Sequence, residues 1–229
     1  MLLAVLPAPM AVPPAAGAER RFSVTSFERI RVEGPFEVRL DTGKPPSASV
    51  VADQRTLDQM SFTVDGTTLV VRLSGSGWGE TPRQRRTAPV ITLTTHELRS
   101  ALVRAGARLT VTGIAGQRVD LAVNGSGVLI AEQVRADQLN ATVIGAGGMT
   151  LSGTAQRAQL MSNGAGTIDA AKLIANDLVV RQDGTGETLG SARFTAKVTT
   201  NGLGRVAVGG TPACTVKALA GGPVSCGTP

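Results

Sequence analysis

Between Val119 and Val208, apolar or small residues occupy alternate positions, and a pair of glycines interrupts the alternation at steady intervals. One row reads Val119, Leu121, Val123, Gly125, Gly127, Leu129, Ala131, and the next Leu139, Ala141, Val143, Gly145, Gly147, Met149, Leu151. Three more rows run through Leu160, Ser162, Gly164, Gly166 and Ile168, then Val180, Gln182, Gly184, Gly186 and Thr188, then Val198, Thr200, Gly202, Gly204 and Val206. Ala105 and Ala107 hold the same place one row earlier, so the small pairs follow one another by 20, 20, 19, 20 and 18 residues. The intervening positions are mostly polar or small, as at Asp120, Asn124 and Ser126. A period of two is that of a strand with one buried face. Its return at a fixed interval predicts an all-β fold, a parallel β-solenoid of about 19–20 residues per coil in which each coil hydrogen-bonds to the next. Six coils stacked about 4.8 Å apart would make a rod of roughly 29 Å.

The glycines fall on the inward-facing set of each row. They are expected to form a narrow corner where two sides of a coil meet, because a side chain there would crowd the interior. A further apolar column, Ile114, Val134, Ala155, Ile174 and Phe194, is expected to mark another side of each coil. The outward position before each pair reads Arg104, Asn124, Ile144, Asn163, Asp183, Asn201. Asn and Asp suit turn geometry, and stacked amides can hydrogen-bond along a column.

Residues 19–89 are strand-rich but lack the glycine pairs, and they are expected to cap or extend the same stack. Asp65-Gly66, between "FTV" and "TTLVVRL", predicts a hairpin turn, and "QRTLDQM" a short helical turn. A boundary is expected in the Gly/Ser/Pro-rich span 74–89, with the coils over 90–210 and a cysteine-containing tail over 211–229.

Composition narrows this further. One Trp, five Phe and no Tyr leave the core to Val, Leu, Ile and Ala, which suits thin layered β architecture. The net charge of +6 is compatible with an anionic partner. However, the densest basic run, "PRQRR" at 82–86, has no interleaved aromatics on which bases could stack, so nucleic acid is not an expected partner. Residues 1–18 are apolar up to a small-x-small Ala16-Gly17-Ala18. They read as a secretory signal peptide cut after Ala18, which predicts export to the periplasm or cell surface. No later stretch is long and apolar enough for a transmembrane helix. In an exported chain the pair Cys214 and Cys226 reads as a disulfide, contributing roughly 3 kcal/mol at best for so short a loop.

"FERIRVEGPFEVRL", "VADQRTLDQMSFTVDGTTLVVRL", Trp78 ahead of "PVITLTTHEL", and the serial glycine-pair coils together resemble the head GIN domain family of bacterial auto-transporter adhesins, over roughly residues 22–210. The resemblance implies an exported, right-handed parallel β-helix and carries no catalytic motif to transfer. Residues 210–229 are short and Gly/Pro-rich, so no outer-membrane barrel is expected within them.

No catalytic, cofactor-binding or metal-binding residues are assigned. His96 is the lone histidine and reads as structural, and no His/Cys cluster has zinc spacing. The glycine pairs recur and are followed by strands, unlike a dinucleotide fingerprint. Their period is about twice that of the calcium-binding nonapeptide. Arg181, Asp183 and Glu187 form the one outward charge cluster of the repeats, without the recurring carboxylate pair that acid/base chemistry needs. The reading is therefore a non-catalytic envelope or adhesin-like binding protein, with an envelope protein or glycan as partner and homo-oligomerisation open to its exposed coil ends. The alternative is a polysaccharide lyase or hydrolase on the same scaffold.

Overall fold

The computed structural model describes residues 18–73 and 88–227. All of the expected leader 1–18 except Ala18, most of the expected boundary span 74–89, Trp78 and the basic run 82–86 lie outside the described residues. Chain order begins with β1 (Ala18–Phe22), β2 (Arg29–Glu33), β3 (Glu37–Thr42) and β4 (Ser47–Ala52). A short helix α1 (Gln54–Gln59), β5 (Met60–Asp65) and β6 (Thr68–Leu73) follow. Next are β7 (Val90–Thr95), β8 (Ser100–Arg104) and β9 (Arg108–Val111). Five long strands make the body: β10 (Ile114–Gly125), β11 (Val128–Gly145), β12 (Gly148–Gly164), β13 (Thr167–Gly184) and β14 (Thr188–Thr200). The end is built from β15 (Val206–Gly209), β16 (Ala213–Ala218) and β17 (Val224–Cys226).

These strands stack into a β-solenoid with two long faces. One face runs β5–β6–β2–β8–β10–β11–β12–β13–β14–β16, and the other β1–β4–β7–β3–β9–β11–β12–β13–β14–β15–β17. From β11 to β14 each long strand bends at a corner and serves both faces, whereas β10 serves the first face and the short third side. A short third side is carried by Ile114–Gly116, Val134–Ala136 and residues 153–155 in register. Every pairing is parallel except β1–β4, β4–β7 and β5–β6, the antiparallel strands that cover the first rungs. The stack is therefore longer than the six coils marked by small pairs. Asp65 and Thr68 close the expected hairpin around Gly66, and α1 starts where the Asp53 carboxylate accepts the Thr56 N–H at 3.0 Å.

The layers do not follow chain order. β2–β3 is flanked on one side by β6–β7 and on the other by β8–β9. The seam between β3 and β9 is fastened at its end. Thr112 N–H donates to the Leu40 carbonyl (3.0 Å), Thr42 Oγ1 donates to the Gly113 carbonyl (2.9 Å), and Asp41 accepts from Thr112 Oγ1 (2.7 Å) and Lys44 Nζ (2.8 Å). The Lys44 hydrogen bond, then that from Thr112, holds the Asp41 carboxyl below the usual carboxylate range.

Inside, equivalent residues lie one above another: Leu121, Ala141, Leu160, Val180 and Val198 form one buried column. The neighbouring column passes from Val123 and Val143 to Ser162, Gln182 and Thr200, all fully buried. These polar members bond the corner backbone four or two residues on. Ser162 Oγ donates to the Gly166 carbonyl (3.4 Å), Gln182 Nε2 to the Gly186 carbonyl (2.6 Å), and the Gly202 N–H donates to Thr200 Oγ1 (3.4 Å). Burial without such partners would be costly.

The two glycines of a pair have different tasks, and only the second is uniformly buried. Gly125 is exposed and Gly145, Gly164 and Gly184 half-buried; all four take positive φ, from 99° to 131°. They turn the chain. Gly127, Gly147, Gly166, Gly186 and Gly204 face inward and are buried. At Gly166 a Cβ would sit 2.5 Å from Val143 Cγ1 and 2.6 Å from the Gly147 carbonyl oxygen. At Gly145 it would lie 2.8 Å from the Gly125 oxygen. The carbonyl of one corner thus occupies the space a side chain on the next would need.

The second apolar series is not one column. Val134 pairs with Ile114 and Gly153, and Gly153 with Leu173, while Ala155 pairs with Ala136 and Ala175. Ile174 and Phe194 point outward, 39% and 63% exposed. Coil length changes by a residue here, so near-equal spacing joined residues from opposite faces. Cys214 and Cys226 form a disulfide. They lie in register with the buried Ala196 and Val208 respectively, so the bridge ties β16 to β17 at the end of the stack, where all of β16, Cys214 included, is exposed.

Three outcomes follow from this packing. Gly166→Ala and Gly145→Val should each lower stability by about 1–3 kcal/mol in chemical denaturation, whereas Gly221→Ala, with nothing within 4 Å, should not. Cys226→Ser should cost up to about 3 kcal/mol and raise amide hydrogen exchange selectively over 213–226. Because the folded-state value of Asp41 is depressed, its stabilising contribution is complete above the ordinary carboxylate range and fades as pH falls through it. The stability gap between wild type and Asp41→Asn should therefore narrow on acidification below about pH 4.

Candidate functional site

A regular stack displays its outer side chains as columns, one per rung, and the expected outward column is in register from Arg104 through Asn124, Ile144 and Asn163 to Asp183. Within it Asn201 Nδ2 donates to Asp183 at 2.7 Å. Glu187 pairs with Arg205 at 3.4 Å rather than completing a cluster with Arg181 and Asp183. His96 is exposed, and its carbonyl accepts the Gly43 N–H at 3.0 Å. Among the described residues, no three His, Cys, Asp or Glu side chains converge as a metal site would require.

A different set of residues is brought together by the corner that joins the short third side to the first long face. There the ladder lapses for one residue per coil. Ala136 pairs with Ala155 and Gln138 with Arg157, leaving Asp137 and Gln156 unpaired between them. The next coil repeats this with Asn176 ahead of Asp177. In β14 two residues replace one: Ala192 pairs with Ala175 and Thr195 with Asp177, so Arg193 and Phe194 stand opposite Asn176 alone. This bulge thrusts Phe194 outward. It closes one end of a groove of about 420 Å³ whose floor is Asp137 and Gln138, then Gln156 and Arg157, then Asn176 and Asp177.

The groove is polar with one apolar wall. Phe194 is the one exposed aromatic among the described residues; Phe27 and Phe36 are buried, and Phe22 stacks on Phe62 with ring centres 4.5 Å apart. Asn176 Nδ2 donates to Gln156 Oε1 (2.6 Å), and Thr195 Oγ1 donates to Asp177 Oδ1 (2.6 Å). Those bonds fix the side-chain planes and leave the Gln156 amide donors, the Asn176 carbonyl and Asp177 Oδ2 with capacity to spare. Among the described residues the Asp137 and Arg157 side chains make no hydrogen bond or ion pair, although Arg157 stands one rung from each of Asp137 and Asp177. The lining carries one positive and two negative groups, and Arg193 stands beside Phe194 in the adjoining bulge.

Sequence reasoning missed this groove because it placed Phe194 in one apolar column with Ile114 and Val134. The polar dipeptides at 137–138, 156–157 and 176–177 recur with the coil period, and the contraction of the final coil step to 18 residues marks the irregularity beside them.

The profile of the family described as "Putative auto-transporter adhesin, head GIN domain" matches residues 26–212. A "putative adhesin" from Bacteroides fragilis NCTC 9343 has a similar structure, with a TM-score of 0.83 at 21% identity, over 94% of this chain and 98% of that one. A "putative lipid binding protein" from Parabacteroides distasonis ATCC 8503 superposes with a TM-score of 0.76 at 18% identity, over 94% and 98% of the two chains. A "putative adhesin" from Parabacteroides merdae ATCC 43184 gives 0.71 at 14% identity, again over 94% and 98%. No curated protein matches the sequence. Among the described residues no helix is long and apolar enough to cross a membrane.

Proposed function

The chain belongs to the head GIN domain family of auto-transporter adhesins, and from that membership we propose that it is an exported, non-catalytic binding protein of the bacterial envelope or cell surface that engages its partner through the groove between Asp137 and Phe194. The observation that carries this reading is the groove itself. It combines an exposed aromatic with an unpaired carboxylate and an unpaired guanidinium, set on a rigid scaffold. Exposed apolar side chains beside oriented polar groups are what a recognition surface offers. Two further features support export: the leader pattern at 1–18, and the Cys214–Cys226 disulfide, a bond that persists in oxidising compartments. The family's adhesin description supports binding over turnover. Nothing in the family's description favours the polysaccharide-active alternative.

Cell fractionation of the tagged full chain should place it in the periplasm or on the surface, and the purified protein should bind isolated envelopes saturably. Recovery in the cytoplasm, or only non-saturable envelope binding, would overturn the reading. So would turnover of uronate-rich glycans that is lost in Asp183→Ala.

A further inference from the structure

We propose that the groove ending at Phe194 binds an oligosaccharide containing N-acetylated hexosamine units; the proposal rests on the binding reading above and names the ligand class of that same site. The chemistry comes from three observations. First, Phe194 is 63% exposed and is held out by a one-residue bulge, so its ring face is available to a ligand. An aromatic face carries partial negative charge and attracts the weakly positive C–H groups on the flat side of a pyranose, or the methyl of an acetamido group. Second, the floor beside the ring consists of planar side chains. Gln156 and Asn176 are locked to each other at 2.6 Å, and each retains unused hydrogen-bonding capacity. An acetamido group presents one N–H and one C=O, which the free Asn176 carbonyl and Gln156 amide complement. Asp137, Arg157 and the open oxygen of Asp177 match hydroxyls, which both donate and accept.

Third, charge selects among glycans. Asp137 and Asp177 stand against Arg157 in the lining and Arg193 in the adjoining bulge, so a polyuronate or sulfated chain gains no net attraction there, while an uncharged amide sugar needs none. The spacing also fits an extended chain. The floor repeats one pair of polar side chains per rung, about 4.8 Å apart, a step comparable with the advance of one sugar unit in a β-linked polymer. The volume of about 420 Å³ falls within the usual range of roughly 300–1,000 Å³ for small-molecule sites. A lipid acyl chain would find one apolar wall and a charged floor, which disfavours it.

The test is calorimetric titration of the purified chain with the β-1,4-linked tetramer of N-acetylglucosamine, alongside polygalacturonate and phosphatidylglycerol vesicles. Saturable binding of the tetramer is expected, with roughly tenfold or greater weakening in Phe194→Ala and in Arg157→Ala, at unchanged melting temperature. Both side chains are exposed, so both variants fold. The inference is overturned by absence of tetramer binding, by binding that both variants retain in full, or by binding of polygalacturonate or vesicles alone. If envelope binding persists while the tetramer fails, the ligand class is wrong and the binding role stands; if envelope binding also fails, the role itself falls.

Discussion

The carbonyl oxygen of one corner lies where the β-carbon of the next corner would be. That close approach sets the terms for the whole molecule. Gly147 and Gly166 let successive coils stack without a stagger, and the Ala146 N–H donates to the Gly125 carbonyl at 3.1 Å as the backbones meet. Close stacking at the corner keeps the ladders of the first long face parallel and in register from β10 to β14. Register in turn places Leu121, Ala141, Leu160, Val180 and Val198 in one column with little need for aromatic bulk. A strand slipped by one residue would turn that column to solvent.

The same register governs the outside. Identical positions on adjacent rungs are near neighbours, so like charges stacked there would repel. The chain alternates acids with amides and hydroxyls instead: Asn140 donates to Asp120 at 2.8 Å, Thr195 to Asp177 at 2.6 Å and Asn201 to Asp183 at 2.7 Å. Exposed contacts of this kind add little stability individually. Their effect is to hold side-chain planes in fixed orientation, which a recognition surface needs. The bulge in β14 is the local departure that turns an ordered ladder into a groove with a wall.

The coil body was legible from the sequence because strand alternation and coil recurrence are both local signals, readable from Val119, Leu121 and Gly125 onwards. The hairpin at Asp65-Gly66 and the cap at Asp53 were legible for the same reason: their chemistry lies within a few residues. What escaped depends on long-range pairing. Nothing in the order of residues announces that 29–42 lies between 68–95 and 100–111. Gly125 and Gly127 look alike in sequence, yet one is chosen by backbone torsion and the other by the Val103 methyl and the Ala107 carbonyl beside it. Ile174 and Phe194 carried the apolar character of a core and the register of a surface, and register decided. The groove was hidden by that same misassignment.

The interleaved order of the first layers bears on how the molecule comes into being. β2–β3 is made early, yet both of its edges are occupied by later segments, β6–β7 on one side and β8–β9 on the other. A chain emerging N-terminus first therefore cannot lay down its coils in the order they are delivered. Until residue 111 has emerged, β2–β3 lacks the strands that satisfy its backbone donors and acceptors on at least one flank. That interval is when a holding chaperone has most to protect.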